Sequence, residues 1–311
     1  MSHKFLNIIL LLTALAAGCS PAAPTATPTP APTATPTATG EIVLGDVSDD
    51  PSSVIERMQP FADYLAVHLN EVGIGVGSVR VAPDEETMGS WMAAGEVDLY
   101  FDSLYPAMLV SDLSGAQPIL RRARGDVEYH TVFFALSSSG LESVQDLNGH
   151  IIAFDEKYST SGYMLPLAYL IEAGLNPVEV GSVESSVAND EIGYVFAGED
   201  ETIIQWVVSG RVIAGVTHNL QYAEIPEETR AEFTILAETE SVPRQVVMAS
   251  PDLSPEVIAA VQAVLLAMAE SEEGVAIMDG FGGTTQFDEL PGDPQVIFAR
   301  MRELYQLVQG R

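Results

Sequence analysis

Short apolar runs alternate with helix-patterned stretches along most of this chain, and two longer extended segments interrupt the alternation. EIVLGDV (41–47), VGSVRVAP (76–83) and VDLYFDS (97–103) read as strands. Between the first two, Phe61, Leu65 and Leu69 recur every four residues on one helical face, with Pro60 suited to a first helical turn. Asp84-Glu85-Glu86 open a second helix carrying Met88, Trp91 and Met92. Strand–helix–strand order predicts parallel pairing with helices on the sheet faces. EYHTVFFALSSS (128–139) is long enough to cross into another lobe, where HIIAFDE, PLAYLIEAG, YVFAGED, ETIIQWVVSG and VIAGVTHN resume the alternation. FTILAETESVPRQVVMAS (233–250) reads as the return crossing. Ser254-Pro255-Glu256 then starts a helix with Ile258, Val261, Leu265 and Met268 on one face, and Asp293-Pro294 starts a last one striped by Ile297, Met301, Leu304 and Val308. The expectation is an α/β fold of two lobes and a hinge, each lobe a mixed sheet flanked by helices. Residues 41–128 plus 246–311 make the first lobe and 129–245 the second, with a ligand held between them at strand ends and helix N-termini.

The first forty residues are expected to lie outside that fold. Lys4 is followed by an apolar stretch from Phe5 to Ala17, too short to span a bilayer, which reads as a signal peptide over 1–18. Leu15-Ala16-Ala17-Gly18-Cys19 resembles the lipobox of bacterial lipoproteins, which implies cleavage before Cys19 and lipid attached to it. Ordinary secretory cleavage, with Cys19 incidental, is the alternative. Residues 20–40 alternate Pro, Thr and Ala, a composition that buries no core and favours an extended tether.

Charge narrows the partners. Forty-four acidic side chains stand against 13 basic ones, a formal net charge of −31. Clustered Lys and Arg, which a phosphate-backbone binder needs, are missing, so nucleic acid is excluded as a partner. One cysteine and five histidines leave no Cys-based zinc site and little material for a His-rich one. No metal or other cofactor is expected, and GFGGTT (280–285), which lacks the Lys-Ser/Thr ending of a phosphate loop, reads as a turn.

The most informative stretch is IIAFDEKYSTSGYMLPLAYLIEAGLNP (151–177). A strand ends at Phe154-Asp155, and Ser159, Thr160 and Ser161 then stand at the start of a helix that stops at Gly174. Adjacent hydroxyls and the free N–H groups of a first helical turn together make an anion site that needs no positive side chain. Gly162 leaves room for close backbone approach. A well-capped helix is the alternative reading, and Pro166 implies that the first turn is irregular or starts later. Across the cleft, Ser103 and Tyr105 offer hydroxyls from the end of a strand, and Asn219 is a further neutral contact. Asp102 either caps the next helix, the favoured reading, or accepts a proton from a protonated oxyanion; His218 is read as a surface or core residue. Lys157 is a solvated loop lysine or a source of positive potential at the cleft mouth, and Arg244 pairs with an acidic hinge residue, the favoured role, or with the ligand.

STSGYMLP after an AFD strand, preceded by SGLESVQDLNG, resembles the phosphate, phosphite and phosphonate substrate-binding proteins of ABC transporters. QPFADYL, AAGEVDLYFDSLYPAM, EYHTVFFA, IIQWVVSGRVIAGVTHN and TESVPRQVV follow the same family's order, so that the likeness covers nearly all of residues 41–290. It implies a type II periplasmic-binding-protein fold, a small phosphorus oxyanion gripped by Ser159, Thr160 and Ser161, an ABC permease as partner, a monomeric non-enzyme, and a place outside the cytoplasm on a lipid anchor. Two departures stand out. Ser103-Leu104-Tyr105-Pro106 replaces the usual Gly-Pro before a tyrosine. Thr217-His218-Asn219 occupies a region where amine-binding relatives carry an aspartate, with Glu201 the nearest match to their other carboxylate. A sensory module docking on a membrane receptor or kinase, a binder of another small anion, and an enzyme on the same scaffold are the competing readings.

Overall fold

The computed structural model describes residues 38–310. The signal segment, Cys19 and the tether as far as residue 37 lie outside the described residues. The chain runs β1 (Gly40–Val47), α1 (Pro51–His68), β2 (Ile74–Ala82), α2 (Glu85–Ala93), β3 (Leu99–Asp102), α3 (Leu104–Ser114) and β4 (Gln117–Ala123). It then passes through β5 (Glu128–Tyr129) into β6 (Thr131–Leu136), β7 (Ile151–Phe154), a π-helical turn (Thr160–Met164), α4 (Leu165–Glu172), β8 (Pro177–Glu179) and β9 (Ile192–Phe196). There follow α5 (Asp200–Val208), β10 (Ala214–His218), α6 (Asn219–Glu224), α7 (Glu227–Arg230) and β11 (Phe233–Glu238). The return is made through β12 (Val242–Pro243) and β13 (Gln245–Ala249), and the chain closes with α8 (Pro255–Ala267), α9 (Glu272–Gly280), β14 (Gln286–Asp288) and α10 (Ala299–Gln309).

Two six-stranded mixed sheets result, ordered β14-β4-β13-β3-β1-β2 and β11-β6-β10-β7-β9-β8. The strands linked by helices pair in parallel, β1 with β2 and β3, and β7 with β9 and β10. Antiparallel pairing enters with the crossings. Returning from the second sheet, β13 runs the opposite way and inserts between β3 and β4. The crossings themselves pair as a two-stranded ribbon, Tyr129 opposite Val242 and Glu128 opposite Pro243.

Period-two alternation assigns each strand to two cores. Leu99, Phe101, Val247 and Ala249 face α1, α8 and α9, whereas Tyr100, Val246 and Met248 face α2, α3 and α10. In the second sheet Phe133, Ile152 and Phe154 lie on one side, and Phe134 and Ala153 on the other. The second of the four cores joins the two sheets: Met164, Leu165 and Ala168 pack there with Tyr105, Met108, Tyr129, Phe298, Met301 and Leu304.

Two helix starts differ from expectation. The first turn of α1 is at Pro51, with the Asp50 side chain accepting from the Ser53 N–H, and Pro60 lies inside the helix. Pro60 and Glu56, whose carbonyl it leaves without a helical donor, are both exposed residues. The last helix also starts later than Asp293-Pro294, which open a short 3₁₀ turn before α10.

Candidate ligand-binding site

A cavity of about 750 Å³ opens between the two sheets, at the C-terminal ends of β1, β2 and β3 on one side and of β7 and β10 on the other. Asp46, Asp102, Ser103, Arg122 and Arg124 line it from the first sheet, and Asp155, Ser159, Ser161, Asp200 and His218 from the second; Tyr129 and Arg244 come from the crossings.

Pro166 shapes the hydroxyl-bearing turn. A proline cannot donate to the carbonyl four residues back and its ring crowds that carbonyl. Here that group belongs to Gly162, and it accepts instead from the Asp155 N–H at 3.1 Å, which stitches the turn to the end of β7. The turn widens to π geometry, with the Met164 N–H donating to the Ser159 carbonyl at 3.1 Å. Gly162 approaches β7 so closely that an added Cβ would stand 2.2 Å from Asp155 Cβ. The close approach this glycine permits is therefore to Asp155; Gly162 does not line the cavity.

The three hydroxyls do different things. Ser159 Oγ accepts from the Gly162 N–H at 3.0 Å and faces the cavity. Thr160, 1% exposed, reaches across to α3: its Oγ1 accepts from the Tyr105 N–H at 2.8 Å and donates to Ser103 Oγ at 3.0 Å. Ser161 holds its place by accepting from Thr131 Oγ1 at its carbonyl, 2.6 Å, and lines the cavity, where it and Thr160 hydrogen-bond the buried Tyr129 phenol. Ser103 sits at the N-cap of α3 without capping it, so its own proton has no acceptor among the described residues. Tyr105 is packed against the rings of Tyr158, Tyr163 and Tyr305, behind the lining. Asn219 also lies off the cavity, pinning the crossing through Oδ1 from the His130 N–H (3.1 Å) and its own N–H to the His130 carbonyl (3.0 Å).

Helix starts around the cavity are unequal in charge. Asp50 caps α1, Asp84 caps α2 ahead of Glu85 and Glu86, and Glu199, Asp200 and Glu201 crowd the start of α5. The first turns of α3, α6 and the Ser159 turn carry no acidic residue, although Asp102 accepts from the Ser103 N–H just ahead of α3 and Asp155 hydrogen-bonds Ser159; Thr160 joins α3 to the Ser159 turn. The place most favourable to an anion is thus the seam where the two sheets' helix starts meet.

The lining also includes groups that the sequence favoured for structural roles or did not single out. Asp102 accepts from the Tyr100 hydroxyl and, at 2.6 Å, from the Ser103 N–H, and burial pushes its carboxyl up to about 7. Asp200, not Glu201, reaches the cavity; it accepts from Thr217 Oγ1 at 2.6 Å and burial raises it to about 6. His218 caps α6 by accepting from the Gln221 N–H, and burial lowers it to about 3, so it is neutral. Among the described residues Arg244 forms no ion pair: its guanidinium lies 5.2 Å from the Tyr129 ring and 3.5 Å from His218 Nδ1. Lys157 is turned to Glu179 at 3.2 Å and does not line the cavity.

Comparison with known proteins bears on this arrangement. A family model described as ABC transporter, phosphonate, periplasmic substrate-binding protein matches residues 47–293. The chain belongs to that family. The phosphonate-family protein is similar to XAC2383 from Xanthomonas citri, solved bound to chloride ion (31% identity) and bound to ATP (30% identity), each with a TM-score of 0.77 over 88% of this chain and 98% of that one. It shares its fold with PhnD1 from Prochlorococcus marinus in complex with methylphosphonate, at 17% identity and a TM-score of 0.61 over 85% of this chain and 98% of that chain. Membership makes it a substrate-binding protein of an ABC transporter, placed outside the cytoplasm. Among the described residues no helix is long and apolar enough to cross a membrane, and no His, Cys, Asp or Glu group is arranged to hold a metal ion.

Proposed function

We propose that the protein captures a small phosphorus oxyanion (phosphonate, phosphite or phosphate) between its lobes, residues 41–128 with 246–311 and residues 129–245, and delivers it to an ABC permease without chemical turnover. The observation that carries this reading is the Ser103–Thr160–Tyr105 junction: two helix starts with no acidic residue in the first turn, one from each lobe, joined by a hydroxyl chain. Ser159 and Ser161 donate to the oxyanion from the second lobe and Ser103 from the first. Thr160, Tyr105, Gly162 and Asn219 act from behind by fixing those donors and the crossing. Closure is stabilised only by the ligand's greater affinity for the closed arrangement. A lipid on Cys19 and the Pro/Thr tether keep the monomer at the membrane.

The test is a thermal-shift and calorimetric panel of methylphosphonate, phosphite, phosphate, chloride and ATP on residues 38–311. A true ligand at a hundredfold its Kd stabilises by about 2.7 kcal/mol. A panel in which no phosphorus anion shifts the melting curve overturns the reading. For the anchor, Cys19→Ser moves the protein from the membrane fraction to the soluble one; retention at the membrane refutes it.

A further inference from the structure

Acidic side chains outnumber basic ones 44 to 13 in this chain, so an arginine here ordinarily finds a carboxylate. Arg57, Arg80, Arg121, Arg300 and Arg302 do. Among the described residues Arg122, Arg124, Arg211, Arg230 and Arg244 form no ion pair; Arg211 and Arg230 lie away from this cavity, and Arg122, Arg124 and Arg244 line it. Arg122 is the sharpest case. It is 5% exposed, and although Asp46 and Asp102 lie near enough to attract it, a buried guanidinium with no direct ion pair is costly to keep.

Arg122 of β4 and Arg124 just beyond it are held from behind. Arg122 donates through Nε to Thr284 Oγ1 at 2.7 Å and through Nη2 to the Phe281 carbonyl at 2.6 Å, with its guanidinium 3.9 Å from the Phe281 ring. Arg124 donates through Nε to the Gly282 carbonyl at 2.7 Å. The glycine-rich turn is moulded to them: Gly282 and Gly283 take φ of 61° and 67°, and a Cβ on Gly282 would come within 3.1 Å of Arg122 Nη2. Nη1 of Arg122 and both Nη atoms of Arg124 then have no acceptor among the described residues. The nearby carboxylates are engaged elsewhere. Asp46 takes Arg57 at 3.1 Å and the Val47 N–H at 2.8 Å, and Asp102 takes Tyr100 and the Ser103 N–H; burial raises both. Arg57, Arg122 and Arg124 also repel one another, which a second negative group would relieve.

From this we infer a second anion subsite at Arg122 and Arg124, so that the preferred ligand is a phosphonate or phosphate carrying a second acidic group. One acid meets the hydroxyl seam, and the other takes the free Nη edges, with charge-assisted bonds of the kind arginine makes to carboxylate and phosphate. A cavity of about 750 Å³ suits such a molecule better than a lone tetrahedral ion. The inference rests on the function proposed above.

Calorimetric titration with methylphosphonate, phosphonoacetate and 3-phosphonopropionate tests it, since the last two add only a carboxylate on a short carbon arm. At least one carboxylated probe is expected to bind about tenfold tighter than methylphosphonate, the worth of one charge-assisted contact. Arg124→Gln, an exposed position with a single bond to the chain, should cut that ratio about fivefold or more. Arg122→Gln, if its melting curve matches wild type, should cut it further; if it does not fold, Arg124→Gln decides. Methylphosphonate binding as tightly as both carboxylated probes, or a ratio that Arg124→Gln leaves intact, overturns the second subsite while the oxyanion reading stands. No binding of any of the three overturns the second subsite, and the oxyanion reading falls with it only where phosphite and phosphate also fail to bind.

Discussion

Thr160 is the residue on which the seam depends. Its hydroxyl is the sole acceptor for the buried Tyr105 N–H and the donor to Ser103. Thr160→Val keeps the shape and removes both bonds, leaving a buried N–H unsatisfied at about 1–3 kcal/mol. Urea unfolding should show that loss, and methylphosphonate affinity should fall with it; a variant as stable and as tight as wild type would refute the role. Asp102 sets a pH dependence. Its carboxyl is raised to about 7 from 3.8, and Asp200 to about 6, so the folded protein holds protons that the unfolded chain has released. Between pH 4 and 7 the folded state binds more protons, and stability declines as pH rises through that window. Asp102→Asn should flatten the decline when urea midpoints are compared at pH 4.5 and 7.5.

At the scale of elements, the π-helical turn and β7 act as one unit. Ser159, Thr160 and Ser161 are legible as a helix start, but their division of labour is not. Pro166 frees the Gly162 carbonyl, and the Asp155 N–H takes it up. Gly162→Ala would drive a Cβ into the Asp155 side chain at 2.2 Å and should cost about 1–3 kcal/mol through overpacking. A melting temperature equal to wild type would show that β7 yields freely. The glycine-rich turn after α9 is a comparable case. It looks like an ordinary turn in the sequence, and only its approach to β4 shows that it holds two arginines.

On the scale of the whole molecule, α10 ties the halves together. Its apolar face packs with α3 from the first half and with Met164, Leu165 and Ala168 from the second. At its edges Arg302 pairs with Asp112 at 2.6 Å, while Arg300 pairs with Glu172 at 3.0 Å and Glu240 at 2.7 Å. The arginine pairs are exposed, so Arg300→Ala should cost no more than about 1 kcal/mol. Leu304, 2% exposed, should cost about 2–5 kcal/mol as Leu304→Ala. Equal losses in the two variants would mean that the ion pairs, not the apolar face, hold the helix.

Local pattern alone determined the alternation of strands and helices, the two crossings and the hydroxyl-rich helix start. These depend on periodicity, capping and extended length, all properties of neighbouring residues. Tertiary structure decided what meets what. Arg122 and Arg124 stand in plain view at the end of β4 and just beyond it, yet the turn that holds them lies about 160 residues away in sequence. Asp200 rather than Glu201 faces the ligand space because the start of α5 orients one and not the other. Tyr105 and Asn219 look like ligand contacts by their chemistry, but packing places them behind the lining. Which donors are left free depends on which acceptors the folded chain has already taken, and that is decided by contacts far apart in sequence.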